Sequence, residues 1–232
     1  MWASFEKQIL NPITALGISL APTAGNHDAS IARERVHYQN FWKTRVPNVQ
    51  MVSGEMFLFY YSYTYQGVFF ISMDNVLTGK LADRTYINKT QKEWIKEQLN
   101  SPLAQSSVAR IVYGHVPLYP VLSKSRHASG CGGKYYEILR QEQLGQSSDS
   151  LEGIFKDANV SLVVFGHSHA YYPGVVHHNN EALEDALPEL SMPCLGQGNR
   201  YLDQQTSARS ERGFAEIEID LATGRISYDI TK

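Results

Sequence analysis

The sequence is short of several things, and each shortage excludes something. Only 2 cysteines, Cys131 and Cys194, occur in 232 residues. Their spacing matches no cysteine metal motif, so neither a disulfide framework nor a cysteine-based metal site organises the chain. The pair reads as two thiols, with a disulfide open only to an oxidising compartment. No apolar run reaches the length that crosses a bilayer. An excess of one charge is also missing: the net charge is -2 and charged residues make up 19%. Neither nucleic acid nor an anionic membrane surface is therefore expected as the main partner. The opening residues, Met1-Trp2-Ala3-Ser4-Phe5-Glu6-Lys7, lack the basic start and long apolar stretch of a signal peptide. That leaves the cellular address open. Finally, residues 1–24 contain no aspartate and no histidine, and Glu6 is their only carboxylate.

What is present suffices for a folded core. Hydrophobic residues make up 43% of the chain, and no composition break or internal repeat divides it, so a single domain over 1–232 is expected. The 14 tyrosines fit a strand-rich fold and a site with aromatic walls. Trp2, Phe5, Ile9 and Leu10 recur at helical spacing until Asn11-Pro12 interrupts them. Residues 30–45 read as partly helical. The β-favouring run 57–65 and the run Val68–Met73, joined at Gly67, predict a hairpin. Thr90-Gln91-Lys92-Glu93 reads as a capping box opening a helix to about Leu99. Val108–Tyr113 and Val160–Phe165 read as buried strands, and Leu151, Ile154, Phe155 and Ala158 form a helical stripe. Residues 123–133 read as a mobile loop and 177–210 as irregular. Two alternating runs, Phe214–Asp220 and Ile226–Ile230, predict a closing hairpin. Helix, strand and polar turn in succession give an α/β class with functional groups at the carboxyl ends of strands.

Three histidine-bearing turns stand out: Gly25-Asn26-His27-Asp28, Gly114-His115 and Gly166-His167-Ser168-His169. Glycine lets the backbone approach an ion closely, and imidazole suits Zn, Fe, Mn and Ni among others. The asparagine amide can ligate a hard cation without adding charge. His27 beside it is free to face a substrate, with Asp28 placed to hold its second nitrogen. Other polar residues have plainer readings. Asp74 follows a strand and reads as structural, and His177-His178 reads as solvent-exposed. Lys124, Arg126 and His127 read as a solvated loop, and Asn199-Arg200 follows only a lone Gly-x-Gly.

In this order the three turns resemble the third, fourth and fifth motifs of the calcineurin-like metallophosphoesterases, which carry GNHD or GNHE, then a GH turn, then GHxH. The likeness runs from about residue 1 to residue 230. Ala109–Tyr119 and Val160–Pro173 (VSLVVFGHSHAYYP) are similar to the purple-acid-phosphatase-like branch in particular, and Gly213-Phe214 with its hairpin to the end of such domains. The resemblance implies a four-layer α/β/β/α sandwich with a dinuclear centre of divalent or trivalent Fe, Mn or Zn. It implies hydrolysis of phosphate mono- or diesters by a metal-bound hydroxide, on a phosphate-ester small molecule or a phosphoprotein. Carried over by motif, Asn26, His115 and His167 would bind one metal and His169 the other. His27 would contact the phosphate and help the leaving group depart, steadied by Asp28. Two ions roughly 3.5–4 Å apart would clamp the phosphoryl oxygens.

The sequence departs from the family in lacking the first motif, D-x-H, and the second, GD-x-x-D or GD-x-x-Y. The ligands without counterpart are the aspartate and histidine of one metal and the aspartate that bridges both. The expectation is an N-terminally truncated member lacking the first βαβ unit, with an unpaired strand edge. The missing motifs would come from an upstream segment or a partner chain. The alternative is a catalytically impaired remnant serving as a mono-metal or metal-free binding module.

Overall fold

The computed structural model describes residues 2–29, 31–76, 87–119, 147–176, 178, 181–196 and 212–231. Its centre is a seven-stranded sheet built from β1 (Gln50–Ser53), β2 (Tyr61–Tyr65), β3 (Val68–Ser72), β4 (Ala109–Gly114), β5 (Leu162–Phe165), β6 (Tyr172–Val176) and β7 (Leu187–Ser191), in the order β1-β2-β3-β4-β5-β7-β6. The inner strands β3, β4, β5 and β7 run parallel, while β1, β2 and β6 join antiparallel at the flanks. This is the sheet-centred α/β class that the sequence pattern predicts.

The β2–β3 hairpin closes with Tyr65 opposite Val68. Gln66 (φ 49°) and Gly67 (φ 79°) are both left-handed, as in the two-residue turn whose twist matches that of the strands. The strand begins at Tyr61 rather than Phe57. Leu58 takes φ 94°, and Leu58 and Phe59 turn aside into an aromatic cluster with Tyr38, Phe41 and Trp42. Those three rings belong to α4 (Ala32–Trp42). Against them packs the amino-terminal helix: α1 (Trp2–Phe5), a π-turn (Glu6–Leu10) and α2 (Asn11–Ala15). Trp2 stacks on Phe41 at 4.4 Å between centroids. Asn11-Pro12 does not end this helix. The Asn11 N–H reaches back five residues to Glu6 O, and the wider turn gives room where the proline ring would crowd a regular one.

One face of the sheet carries Phe69, Ile71, Val112, Val163 and Phe165 against α5 (Lys89–Leu99) and α6 (Leu151–Asp157), which contribute Ile95, Leu99, Leu151, Ile154 and Phe155. Each such burial stabilises by about 1.5–3 kcal/mol. The helix expected from a cap at Thr90 is capped two residues earlier, by Asn88, whose side chain accepts the Gln91 N–H at 2.8 Å. The opposite face carries Val68, Ile111, Leu162 and Leu190 against a two-stranded antiparallel sheet of β8 (Phe214–Ile219) and β9 (Ile226–Thr231). The expected closing hairpin is this second sheet.

The segment expected to be irregular, 177–210, contains β7, buried between β5 and β6. Pro188 and Glu189 disguise it. Pro188 lies just before pairing with β5 begins at Glu189, so its missing N–H costs no bond on that side. Residues 123–133, with Lys124, Arg126, His127 and Cys131, lie outside the described residues, as do His177, Asn199 and Arg200. No described helix is long and apolar enough to cross a membrane.

Glu189 is a carboxyl buried in the helix-facing side of the sheet. It accepts the backbone N–H groups of Leu118 and Tyr119, and burial above all pushes its pKa from an ordinary 4.5 up to about 8. Between those pH values the folded chain keeps a proton that the unfolded chain has lost. Stability therefore falls as pH rises from about 4.5 to about 8 and levels off above. Glu189→Gln is expected to remove that slope, so that urea midpoints at pH 5 and pH 8.5 differ less than in the wild type.

Candidate metal centre

Two of the histidine turns are made neighbours by strand pairing. β4 and β5 are adjacent and parallel with Gly114 opposite Phe165, so both chains leave the sheet side by side. The Gly166 N–H then donates to His115 O at 3.0 Å, stitching the turns together. His167 (φ 59°) and His169 (φ 52°) are left-handed, and the Ser168 N–H donates to Gly166 O at 2.5 Å across His167. That is a tight γ-type turn, a geometry associated with functional sites because it is strained.

The third arm, residues 21–29, arrives from outside the sheet and is held by tyrosine hydroxyls. Tyr61 OH donates to Pro22 O at 2.5 Å. Tyr113 OH lies 3.1 Å from Tyr61 OH, 3.4 Å from Ala21 O and 3.4 Å from Tyr63 OH. Thr23 Oγ1 adds a bond to Met73 O at 3.4 Å. Burial raises all three phenols, Tyr63 to about 12, so they stay protonated donors. These tyrosines anchor the arm that opens α3 (Asn26–Ala29).

The arms converge. Asn26 Oδ1 lies 2.7 Å from His115 Nε2, and His167 Nδ1 lies 3.2 Å from the same nitrogen. The His115 ring fills the space between two glycines. A Cβ on Gly25 would sit 3.1 Å from His115 Cε1 and 3.0 Å from Asp28 Oδ2, and one on Gly166 would sit 3.5 Å from His115 Nδ1. Burial, then the charges of His167, His27 and His169, lower the His115 pKa to about 3. The imidazole is therefore neutral at physiological pH, as a ligand must be.

Donors on one ion at bonds of about 2.0–2.1 Å stand roughly 3 Å apart. The separations of 2.7 Å and 3.2 Å fit that requirement, and two imidazoles with an amide suit Zn, Fe or Mn. The set is neutral, however. Among the described residues, no group of three or more His, Cys, Asp or Glu side chains is gathered as a metal site. His169 is near enough for its charge to act on His115. His27 is exposed. Asp28 attracts His27 electrostatically, while its carboxylate accepts the Gly25 N–H at 3.2 Å and braces the turn. Burial raises the Asp28 pKa, and the Gly25 bond and His27 pull it back.

Sequence reasoning misses the supports. The segment after His115 is fixed at its far end, where Tyr119 OH donates to Glu152 Oε2 at 2.7 Å. Glu152, fully buried, also meets Lys156 at 2.9 Å and His178 at 2.6 Å. His178, read as solvent-exposed, is thus part of this network. At its near end the segment is held by Asn75, which bonds the backbone of His115 and Val116. The one visible signal was a polar Asp74-Asn75 pair directly after a buried strand.

The calcineurin-like phosphoesterase family model matches residues 2–171. No curated protein matches the chain. Among solved structures it is similar to a purple acid phosphatase, PPD1, from yellow lupin (Lupinus luteus) seeds, at 16% identity and a TM-score of 0.46, covering 68% of this chain and 28% of that one. It is similar to PhoD at 14% identity and a TM-score of 0.40, covering 60% and 29%. GAP50, the anchor in the inner membrane complex of Plasmodium, aligns at 19% identity and a TM-score of 0.35, covering 75% and 54%. The chain thus spans less than a third of the first two proteins and about half of the third.

Tyr61→Phe removes the donor to Pro22 and is expected to cost about 1 kcal/mol, read as a lower urea midpoint with unchanged slope. Gly25→Ala is expected to displace the His115 ring, since the new Cβ would stand 3.1 Å from His115 Cε1 and 3.0 Å from Asp28 Oδ2. A shift of the His115 ring signals in NMR spectra checks it.

Proposed function

The chain belongs to the calcineurin-like phosphoesterase family, and from that premise we propose that it is a metal-dependent phosphoesterase acting on phosphate mono- or diesters, of small molecules or of phosphoproteins. The observation that carries the reading is the convergence of Asn26 Oδ1, His115 Nε2 and His167 Nδ1 within 2.7 Å and 3.2 Å. These three residues would hold one Fe, Mn or Zn ion, and His169 would face a second. When bound, the metal supplies Lewis acidity to a phosphoryl oxygen. His27, exposed beside Asn26, is placed to meet the phosphate and to give a proton to the departing oxygen. Asp28 keeps that turn in shape through Gly25. His115, held neutral, can present Nε2 to an ion shared with Asn26 and His167. In this reading a bridging carboxylate comes from a partner chain or a further segment.

A second reading is a one-metal binding module without turnover. The neutral donor set favours it, because Asn and two imidazoles bring no negative charge to fix a pair of dications.

Elemental analysis of the purified chain and hydrolysis of a chromogenic phosphate ester decide between them. The phosphoesterase reading expects bound metal with turnover, and His115→Ala and His167→Ala are expected each to lower both by about 100-fold. One bound ion with no turnover selects the module. No bound metal after incubation with Fe, Mn or Zn sinks both.

A further inference from the structure

Two of the three converging arms, those of His115 and Asn26, are tied to one dipeptide at the end of β3. Asn75 is fully buried. Its Oδ1 accepts the N–H of His115 at 3.0 Å and of Val116 at 3.1 Å, and its Nδ2 donates to Val116 O at 2.6 Å. One amide thus satisfies three backbone groups of the histidine turn. Its neighbour Asp74 works on the other arm. The Asp74 carboxylate pairs with Arg35, and Arg35 Nη1 donates to Ala29 O at 3.3 Å. Ala29 is the last residue of the short helix that Asn26 opens. The Arg35 guanidinium lies 3.5 Å over the Phe59 ring, which fixes its path.

The dipeptide itself cannot drift. Gln91, in the first turn of α5, brackets the Asp74 backbone: its Oε1 accepts the Asp74 N–H at 2.8 Å and its Nε2 donates to Asp74 O at 2.8 Å. Asp74 Oδ1 accepts the Val76 N–H at 3.3 Å. α5 is buried through Ile95 and Leu99, so the clamp rests on the core of the molecule.

We propose that Asp74-Asn75 is a positioning element that sets the separation of Asn26 and His115: Asn75 fixes the histidine turn, and Asp74, through Arg35, fixes the helix that carries the asparagine. Neither residue is placed to touch substrate. Metal sites tolerate about 0.5 Å of error in ligand placement, and the two arms reach this site from different parts of the chain. A shared support on β3 is what gives them a common reference. The metal-affinity half of the inference rests on the phosphoesterase reading, while the positional half does not.

The test uses the full chain with two readouts. In NMR spectra of the metal-free protein, Asn75→Ala is expected to shift the His115 ring and the His115 and Val116 amide signals more than the Asn26–Ala29 backbone amides. Asp74→Asn and Arg35→Met are expected to do the reverse. Titrated with Co(II), followed by its visible absorption, each variant is expected to bind about 10- to 100-fold more weakly. The Asn75→Ala/Asp74→Asn double variant should lose less than the product of the two, because both changes open the same gap. Asn75→Ala that shifts neither the His115 ring nor Co(II) affinity beyond twofold overturns the proposal. So does a variant that moves both arms alike. If Asn75→Ala does not fold, Asn75→Asp keeps the accepting oxygen and is read by the same signals, with the shift expected to centre on Val116. A wild-type chain that takes up no Co(II) defeats the phosphoesterase reading, and the metal-free spectra still decide the positional claim.

Discussion

The parallel pairing of β4 with β5 is the constraint on which the site depends. Gly114 opposite Phe165 brings two turns, separated by some fifty residues of chain, to one edge of the sheet, and the Gly166–His115 backbone bond holds them there. A slip of one residue would turn every side chain of β5 to the other face. It would take Val163 and Phe165 out of the helix-side core and carry His167 away from His115. Helix-face burial and the meeting of His115 with His167 are therefore one requirement. The same packing draws His115 partly out of water, and that desolvation keeps its ring neutral.

The third arm has no such strand to guide it. Residues 21–25 lie across the sheet end, and their carbonyls are met by hydroxyls from β2 and β4. Tyrosine suits this task because its ring packs in the core while its polar tip reaches out to a backbone group. The abundance of tyrosine, which in composition alone reads as aromatic walls, is partly explained by this use.

Much of the fold was legible where one segment carries its own signal. The apolar runs before Gly114 and Gly166, the stripe through Leu151, Ile154 and Phe155, and the alternation of β8 and β9 all announce their elements locally. β7 was hidden because Pro188 and Glu189 break its pattern, and because the burial of Glu189 depends on the backbone of Leu118 and Tyr119. The start of β2 was misplaced because Phe57–Tyr60 are as β-favouring as the strand itself, while packing against α4 draws Leu58 and Phe59 away. In the site, glycine and histidine marked the turns. Asn75 left no mark beyond its place in a polar pair after the strand, since its partners lie 40 and 41 residues away and their contact exists only after the sheet has formed. Arg35 and Gln91 escaped notice for the same reason.

The left-handed backbone at His167 and His169 bears on how such a chain drifts under mutation. Glycine adopts that conformation without the clash an imidazole-bearing residue suffers. Replacing either histidine by glycine would relax the turn locally, even as it removed an imidazole. At these two positions, loss of chemistry and relief of the backbone point the same way. Both imidazoles are thus carried against the local preference of the backbone that bears them.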